Sequence, residues 1–183
     1  MISQLPNLVT LARLLAVPLA VWLMLTDHYT AAFWLFLSAG LSDAVDGYLA
    51  RRLKSRSEIG AYLDPLADKC LLVGAYVTLG HQEHLEVWLV ILVVFRDLLI
   101  IGGAILYHTL THSLTMQPLF VSKLNTAIQI VLIGVVLAEL GLGLEDYGAR
   151  EVLSYTVAVT TLLSGAAYIA IWGRRLLGYG GGA

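Results

Sequence analysis

The stretch DAVDGYLARRLKSRSEIGAYLDPLAD, from Asp43 to Asp68, sets four aspartates between long apolar runs. Unpaired, such carboxylates carry a large desolvation cost in hydrocarbon, and acids inside membrane-length helices point by default to function. Their spacing adds geometry. At about 100° per residue, Asp43, Asp46, Gly47, Ala50 and Arg51 share one helical face, and Gly60, Asp64 and Asp68 share a face of the next helix. Two facing helices would bring four carboxylates into one small volume. Their mutual repulsion calls for divalent metal.

Composition says what solvent surrounds that stretch. The chain has 183 residues, 58% of them hydrophobic and 13% charged, with a mean hydropathy of +0.80. A soluble domain of this length cannot bury so much apolar surface, so the bilayer is the expected solvent. The net charge of -2 argues against a nucleic-acid footprint. The single cysteine, Cys70, excludes an intramolecular disulfide and reads as a packing residue. MISQLPN lacks the basic start of a cleaved signal, so the N-terminus is expected to be retained. One membrane domain is expected over residues 1–177, with a flexible glycine-rich tail over 178–183.

Apolar runs predict an all-α, polytopic fold of six transmembrane helices around a polar cavity. The spans lie around Asn7–Leu25, Ala31–Leu53, Ile59–Leu79, Val87–His108, Val121–Leu140 and Glu151–Trp172, each near the ~20 residues a bilayer needs. Arg51, Arg52, Lys54 and Arg56 cluster in the second connection, and Arg174 and Arg175 follow the last span. The positive-inside rule then puts both termini and the Arg51–Glu58 loop in the cytoplasm. The cavity would open on that side, as an integral protein of a bacterial inner membrane would require.

Blander readings of the aspartates exist. They would serve as an ion pathway or proton relay in a transporter. Ser42-Asp43 and Asp64-Pro65 would also serve as helix starts, and Gly47, Ala50 and Gly60 would serve helix packing. None of these needs the whole spacing.

That spacing, D-x2-D-G-x2-A-R-x8-G-x3-D-x3-D, resembles the signature of the CDP-alcohol phosphatidyltransferases at every specified position. The segment PNLVTLARLLAVP, Pro6 to Pro18, is also similar to that family. The resemblance implies that Asp43, Asp46 and Asp64 ligate two divalent ions, Mg²⁺ or Mn²⁺, shared by Asp68, which would act as general base. It implies CDP-lipid contacts from Gly47, Ala50, Arg51 and Gly60, and by position from Asn7, Thr10 and Ser57. It also implies CDP-diacylglycerol as donor, membrane lipid around the chain, and a homodimer. An all-oxygen donor set suits these hard cations independently of the resemblance.

The acceptor alcohol is addressed by a second region. Arg96-Asp97 sits inside VVFRDLLII, where an unpaired charge is costly. It reads either as a local structural ion pair or as Arg96 facing the cavity to bind an anionic acceptor. Lys123, Thr126 and Gln129, in VSKLNTAIQIVL, fall within an arc of about 120°, and Lys123 with Thr126 fits phosphate binding. FVSKLNTAIQ and FRDLLI resemble the CMP-forming cardiolipin synthases within the family. Phosphatidylglycerol is therefore the expected acceptor, with glycerol 3-phosphate as the alternative. Two other classes are an intramembrane prenyltransferase, which would release pyrophosphate rather than CMP, and a cation transporter. His81, Glu83 and His84 read as solvated loop residues on the outer face.

Overall fold

The computed structural model describes residues 5–53, 58–111 and 119–179. Side chains are described for 12, 14–42, 69–106, 109 and 119–174. These residues form six α-helices: α1 (Leu5–Leu25), α2 (Tyr29–Leu53), α3 (Glu58–His81), α4 (Val87–Thr111), α5 (Phe120–Leu142) and α6 (Ala149–Tyr179). The all-α expectation holds, and five of the six helices both start and end within three residues of the apolar runs. The exception is α6, which continues past Arg174 to Tyr179. Gly178 and Tyr179 are therefore helical, and 180–183 lie outside the described residues.

Three helices among the described residues are long and apolar enough to cross a bilayer: Val87–Leu106, Phe120–Leu142 and Ala149–Arg174. Among the described residues, α1 and α2 carry shorter apolar segments, Leu14–Leu25 and Tyr29–Ser42. The second half of α2 holds Asp43, Asp46, Arg51 and Arg52, and α3 holds Glu58, Asp64, Asp68 and Lys69. Those charges dilute the hydropathy that a span assignment depends on.

The helices divide into two compact units. In the first, α1 packs on α2 and α3, joined by the C-terminal part of α5 from Ile133. Its core includes Ala20, Met24, Ala32, Leu72, Ala75, Tyr76, Leu79 and Leu137. Small residues set the approach. A Cβ on Gly74 would stand 3.3 Å from Val21, and one on Gly141 would stand 2.7 Å from the backbone of Tyr29 and Thr30. Thr30 Oγ1 donates to the Gly141 carbonyl at 2.6 Å, locking the same crossing.

The turns after α1 and α3 are built alike. Asp27 and Glu83 take φ of 60° and 62°. His28 N–H bonds the Leu23 carbonyl and Asp27 N–H that of Met24; His84 N–H bonds Leu79 and Glu83 N–H bonds Gly80. Both are left-handed caps that satisfy the last helical carbonyls, here without the usual glycine. The two turns also meet. Tyr29 Oη donates to Asp27 Oδ1 at 2.9 Å and lies 3.0 Å from His84 Nε2, while Gln82 Nε2 donates to the Met24 carbonyl at 2.8 Å. His84 is thus half-buried rather than a solvated loop residue.

In the second unit α4 packs on α6, with the first part of α5 alongside. Leu89, Val93, Leu132 and Val157 are fully buried in the structure. Gly103 faces the Trp172 ring so closely that a Cβ would overlap it, at 1.7 Å. Trp22, Trp34 and Trp88 are exposed, as lipid-facing or interfacial residues would be.

The Gly141 crossing yields a test. Gly141→Ala forces a methyl into backbone that cannot step aside and should destabilise the protein by about 1–3 kcal/mol. Gly134→Ala, with nothing within 4 Å of its Cβ, should leave stability unchanged or raise it by up to ~1 kcal/mol. Thermal unfolding of the two variants in the same detergent compares them directly.

Candidate active site

The signature lies on two uninterrupted helices. α2 begins at Tyr29, so Asp43 and Asp46 are deep inside it. α3 begins at Glu58, so Asp64-Pro65 is also internal. These bounds remove the reading of either pair as a helix start. Helical backbone through both segments puts Asp43, Asp46, Gly47, Ala50 and Arg51 on one face of α2, and Gly60, Asp64 and Asp68 on one face of α3. Their side chains lie outside the described residues, as do those of Asn7 and Thr10 on α1, and Ser57 lies outside entirely. Among the described residues no group of three or more His, Cys, Asp or Glu side chains is arranged to hold a metal.

The polar layer of the second unit is described in full. Arg96 on α4 is 3% exposed. Its Nη1 donates to Asp97 Oδ1 at 2.7 Å. Its Nη2 donates to Ser122 Oγ on α5 and Ser164 Oγ on α6, both at 2.5 Å. Its Nε has no hydrogen-bond partner. Neighbouring residues on a helix do not face each other, so the contact with Asp97 requires both side chains to curl along α4. One turn further along α5, Asn125 is fully buried. Its Oδ1 accepts from Thr160 at 2.8 Å and Thr161 at 3.0 Å on α6, and its Nδ2 has no partner. Gln129, Ser154 and Thr161 are buried too.

Of the three residues expected to meet the acceptor, Arg96 alone lies in this layer. Lys123 is exposed. Thr126 is half-buried and spends its hydroxyl on the Ser122 carbonyl of its own helix, at 3.1 Å. The inward face of α5 is Ser122, Asn125 and Gln129; Thr126 stands about 70° and Lys123 about 130° around from its centre. Sequence reasoning missed Ser122, Thr160, Thr161 and Ser164, and it named Asn125 at the start of the fifth span without placing it in the arc of about 120°. The available signal was periodic: Ser122, Asn125 and Gln129 recur at i, i+3 and i+7, as Ser154, Thr161 and Ser164 do at i, i+7 and i+10.

Apolar helices of bilayer length with polar side chains turned inward define an integral membrane protein of the all-α class. The chain belongs to the CDP-alcohol phosphatidyltransferase family, which it matches over residues 3–171. That match takes in both the aspartate signature and the Arg96 layer. Members of the family generally use divalent metal ions.

Named relatives divide between two activities. The chain is 36% identical to the chloroplastic CDP-diacylglycerol--glycerol-3-phosphate 3-phosphatidyltransferase 1 of Oryza sativa subsp. japonica, over 90% of this chain and 56% of that protein. It is 37% identical to a cardiolipin synthase (CMP-forming)/mitochondrial hydrolase fusion protein of Schizosaccharomyces pombe, over 91% of this chain and 31% of that one. A probable phosphatidylglycerophosphate synthase of Mycobacterium tuberculosis is 31% identical, over 98% of this chain and 85% of its own length. The chain thus spans 56% and 31% of the first two relatives.

The buried pair generates its own prediction. Arg96→Met removes the guanidinium from Asp97 and should cost about 3–5 kcal/mol of stability. The double variant Arg96→Met/Asp97→Leu should recover most of that loss, because apolar side chains of similar size then replace the buried ion pair. Midpoints of thermal unfolding in detergent give the comparison.

Proposed function

We propose that this chain transfers a phosphatidyl group from CDP-diacylglycerol to phosphatidylglycerol, giving cardiolipin and CMP. The observation that carries this reading is the complete aspartate–glycine signature on two continuous helices of a chain that belongs to the family. The donor set fits two divalent ions, because Asp43, Asp46, Asp64 and Asp68 offer only carboxylate oxygens. When bound, such ions would supply positive charge for the attacking and leaving oxygens of a phosphoryl transfer.

The chain's own residues then have distinct tasks. Asp68 takes the proton from the acceptor hydroxyl, whose oxygen forms the new bond to the β-phosphorus as the bond to CMP breaks. A positioned base of this kind contributes roughly 10²–10⁴-fold. Arg51 offsets phosphate charge. Gly47, Ala50 and Gly60 leave room for the CDP-lipid, with Asn7, Thr10 and Ser57 contributing further contacts. Arg96, Lys123 and Thr126 are assigned to the acceptor headgroup. The reading includes six spans, cytoplasmic termini, a bacterial inner membrane and a homodimer. The lysine and arginine distribution supports the orientation, and family resemblance supports the dimer.

Glycerol 3-phosphate is the second reading, favoured by the names of the rice and mycobacterial relatives. Against it stands the charge state of the Arg96 layer. Asp97 already neutralises Arg96 at 2.7 Å, which suits the single charge of a phosphodiester headgroup better than the greater charge of a phosphate monoester.

Radiolabelled CDP-diacylglycerol, with Mg²⁺ or Mn²⁺ and each acceptor in turn, decides the matter. CMP release with phosphatidylglycerol is expected; release with glycerol 3-phosphate alone overturns the acceptor, and release with neither overturns the transfer. Asp43→Asn, Asp46→Asn and Asp64→Asn should lose Mn²⁺ binding and turnover together. Asp68→Asn should keep Mn²⁺ and CDP-lipid binding while turnover falls by roughly 10²–10⁴-fold.

A further inference from the structure

We propose that Ser122 and Ser164 are positioning residues for the acceptor: their hydroxyls hold the Arg96 guanidinium so that its Nε–H is kept for a phosphoglycerol group. This inference rests on the transferase reading above, and specifically on Arg96 meeting the acceptor.

The guanidinium has five N–H donors in a rigid plane. Three helices fix that plane at once, through Asp97 on α4, Ser122 on α5 and Ser164 on α6. Two oxygens from different helices on one nitrogen prevent the fork from turning about its own axis. Neither hydroxyl is needed to neutralise charge, since Asp97 does that. What the serines add is direction.

A structural arginine in an apolar helix would be expected to satisfy every donor it has. Here Nε is buried with no hydrogen-bond partner, a cost that a purely structural role leaves unexplained. A second buried amide donor, Asn125 Nδ2, is also without a partner one helical turn from Ser122. Two open donors in one layer match a ligand rich in acceptor oxygens. Because the cation beside them is already balanced by Asp97, a phosphoglycerol group fits, either free or as a lipid headgroup.

The test compares shape-matched variants. Ser122→Val and Ser122→Thr add nearly the same bulk at a half-buried position, and only threonine keeps the hydroxyl. Ser164→Ala removes the other contact. Loss of one hydrogen bond to a charged group should raise the acceptor KM roughly tenfold in Ser122→Val and Ser164→Ala. The KM for CDP-diacylglycerol should stay within about twofold, and Ser122→Thr should stay near wild type. Measured with phosphatidylglycerol and with glycerol 3-phosphate, the same KM shift also tells which source of the group is used. Equal changes in both KM values, no change at all, or a Ser122→Thr defect matching that of Ser122→Val would overturn the proposal.

A second readout needs no turnover. At one ligand concentration, phosphatidylglycerol in mixed micelles, or glycerol 3-phosphate, should raise the Tm of the wild type and of Ser122→Thr by more than that of Ser122→Val. An equal rise in Ser122→Val, or none in the wild type, counts against the serines. A wild type that releases no CMP with any alcohol is a separate result, and it removes the transferase reading itself.

Discussion

A guanidinium inside an apolar helix has to be answered by partners, and in this chain the partners come from three helices. Arg96 lies within Val87–Leu106, a segment long and apolar enough to cross a bilayer. Insertion scales put the cost of an arginine at the centre of such a helix at about 2.5–3.5 kcal/mol. Asp97, Ser122 and Ser164 offset it through directed bonds. Directed bonds also specify register. Rotating α4 by one residue would turn Arg96 through about 100° and out of reach of both serines. Packing of α4 on α6 is therefore set by polar geometry as well as by apolar surface.

Lipid offers helices little reason to prefer one another over hydrocarbon, so close approach and hydrogen bonds must supply the preference. Each unit shows the same device. In the first, Gly74 admits α1 against α3, and Gly141 admits the start of α2, where Thr30 bonds the Gly141 carbonyl. In the second, Gly103 admits the Trp172 ring, while the Arg96 and Asn125 clusters tie the helices through polar groups. Small residues allow contact and polar residues choose where it occurs.

How much of this could be read from the chain follows from the same physics. Helix existence was legible because long apolar runs end at polar turns. Bounds were less so: α6 outlasts its apolar run by seven residues, since arginines at the end of a span favour helix as well as leucine does. The turns at Asp27 and Glu83 were illegible as left-handed caps because no glycine marks them. The aspartate signature stood out because charges in an oily context carry a visible cost. The Arg96 layer was only half visible. Arginine stands out in such a run, but serine and threonine can bond their own helix and leave little trace in hydropathy. Thr126 does so, donating to the Ser122 carbonyl of its own helix.

The two polar centres differ in how their charge is balanced. Four aspartates on α2 and α3 carry more negative charge than Arg51 can offset, so on the transferase reading they wait for cations before a diphosphate can approach. The Arg96 layer is the opposite case: its charge is closed internally by Asp97, and what it has left to offer is N–H donors. An anion gains little Coulombic energy from a neutralised pair, but its oxygens still gain from fixed donors in a place where water would otherwise have to be supplied. On the same reading, such a layer would recognise a group by the direction of its oxygens more than by its charge. Selection of that kind separates one polar headgroup from another in a membrane where most headgroups share the same sign.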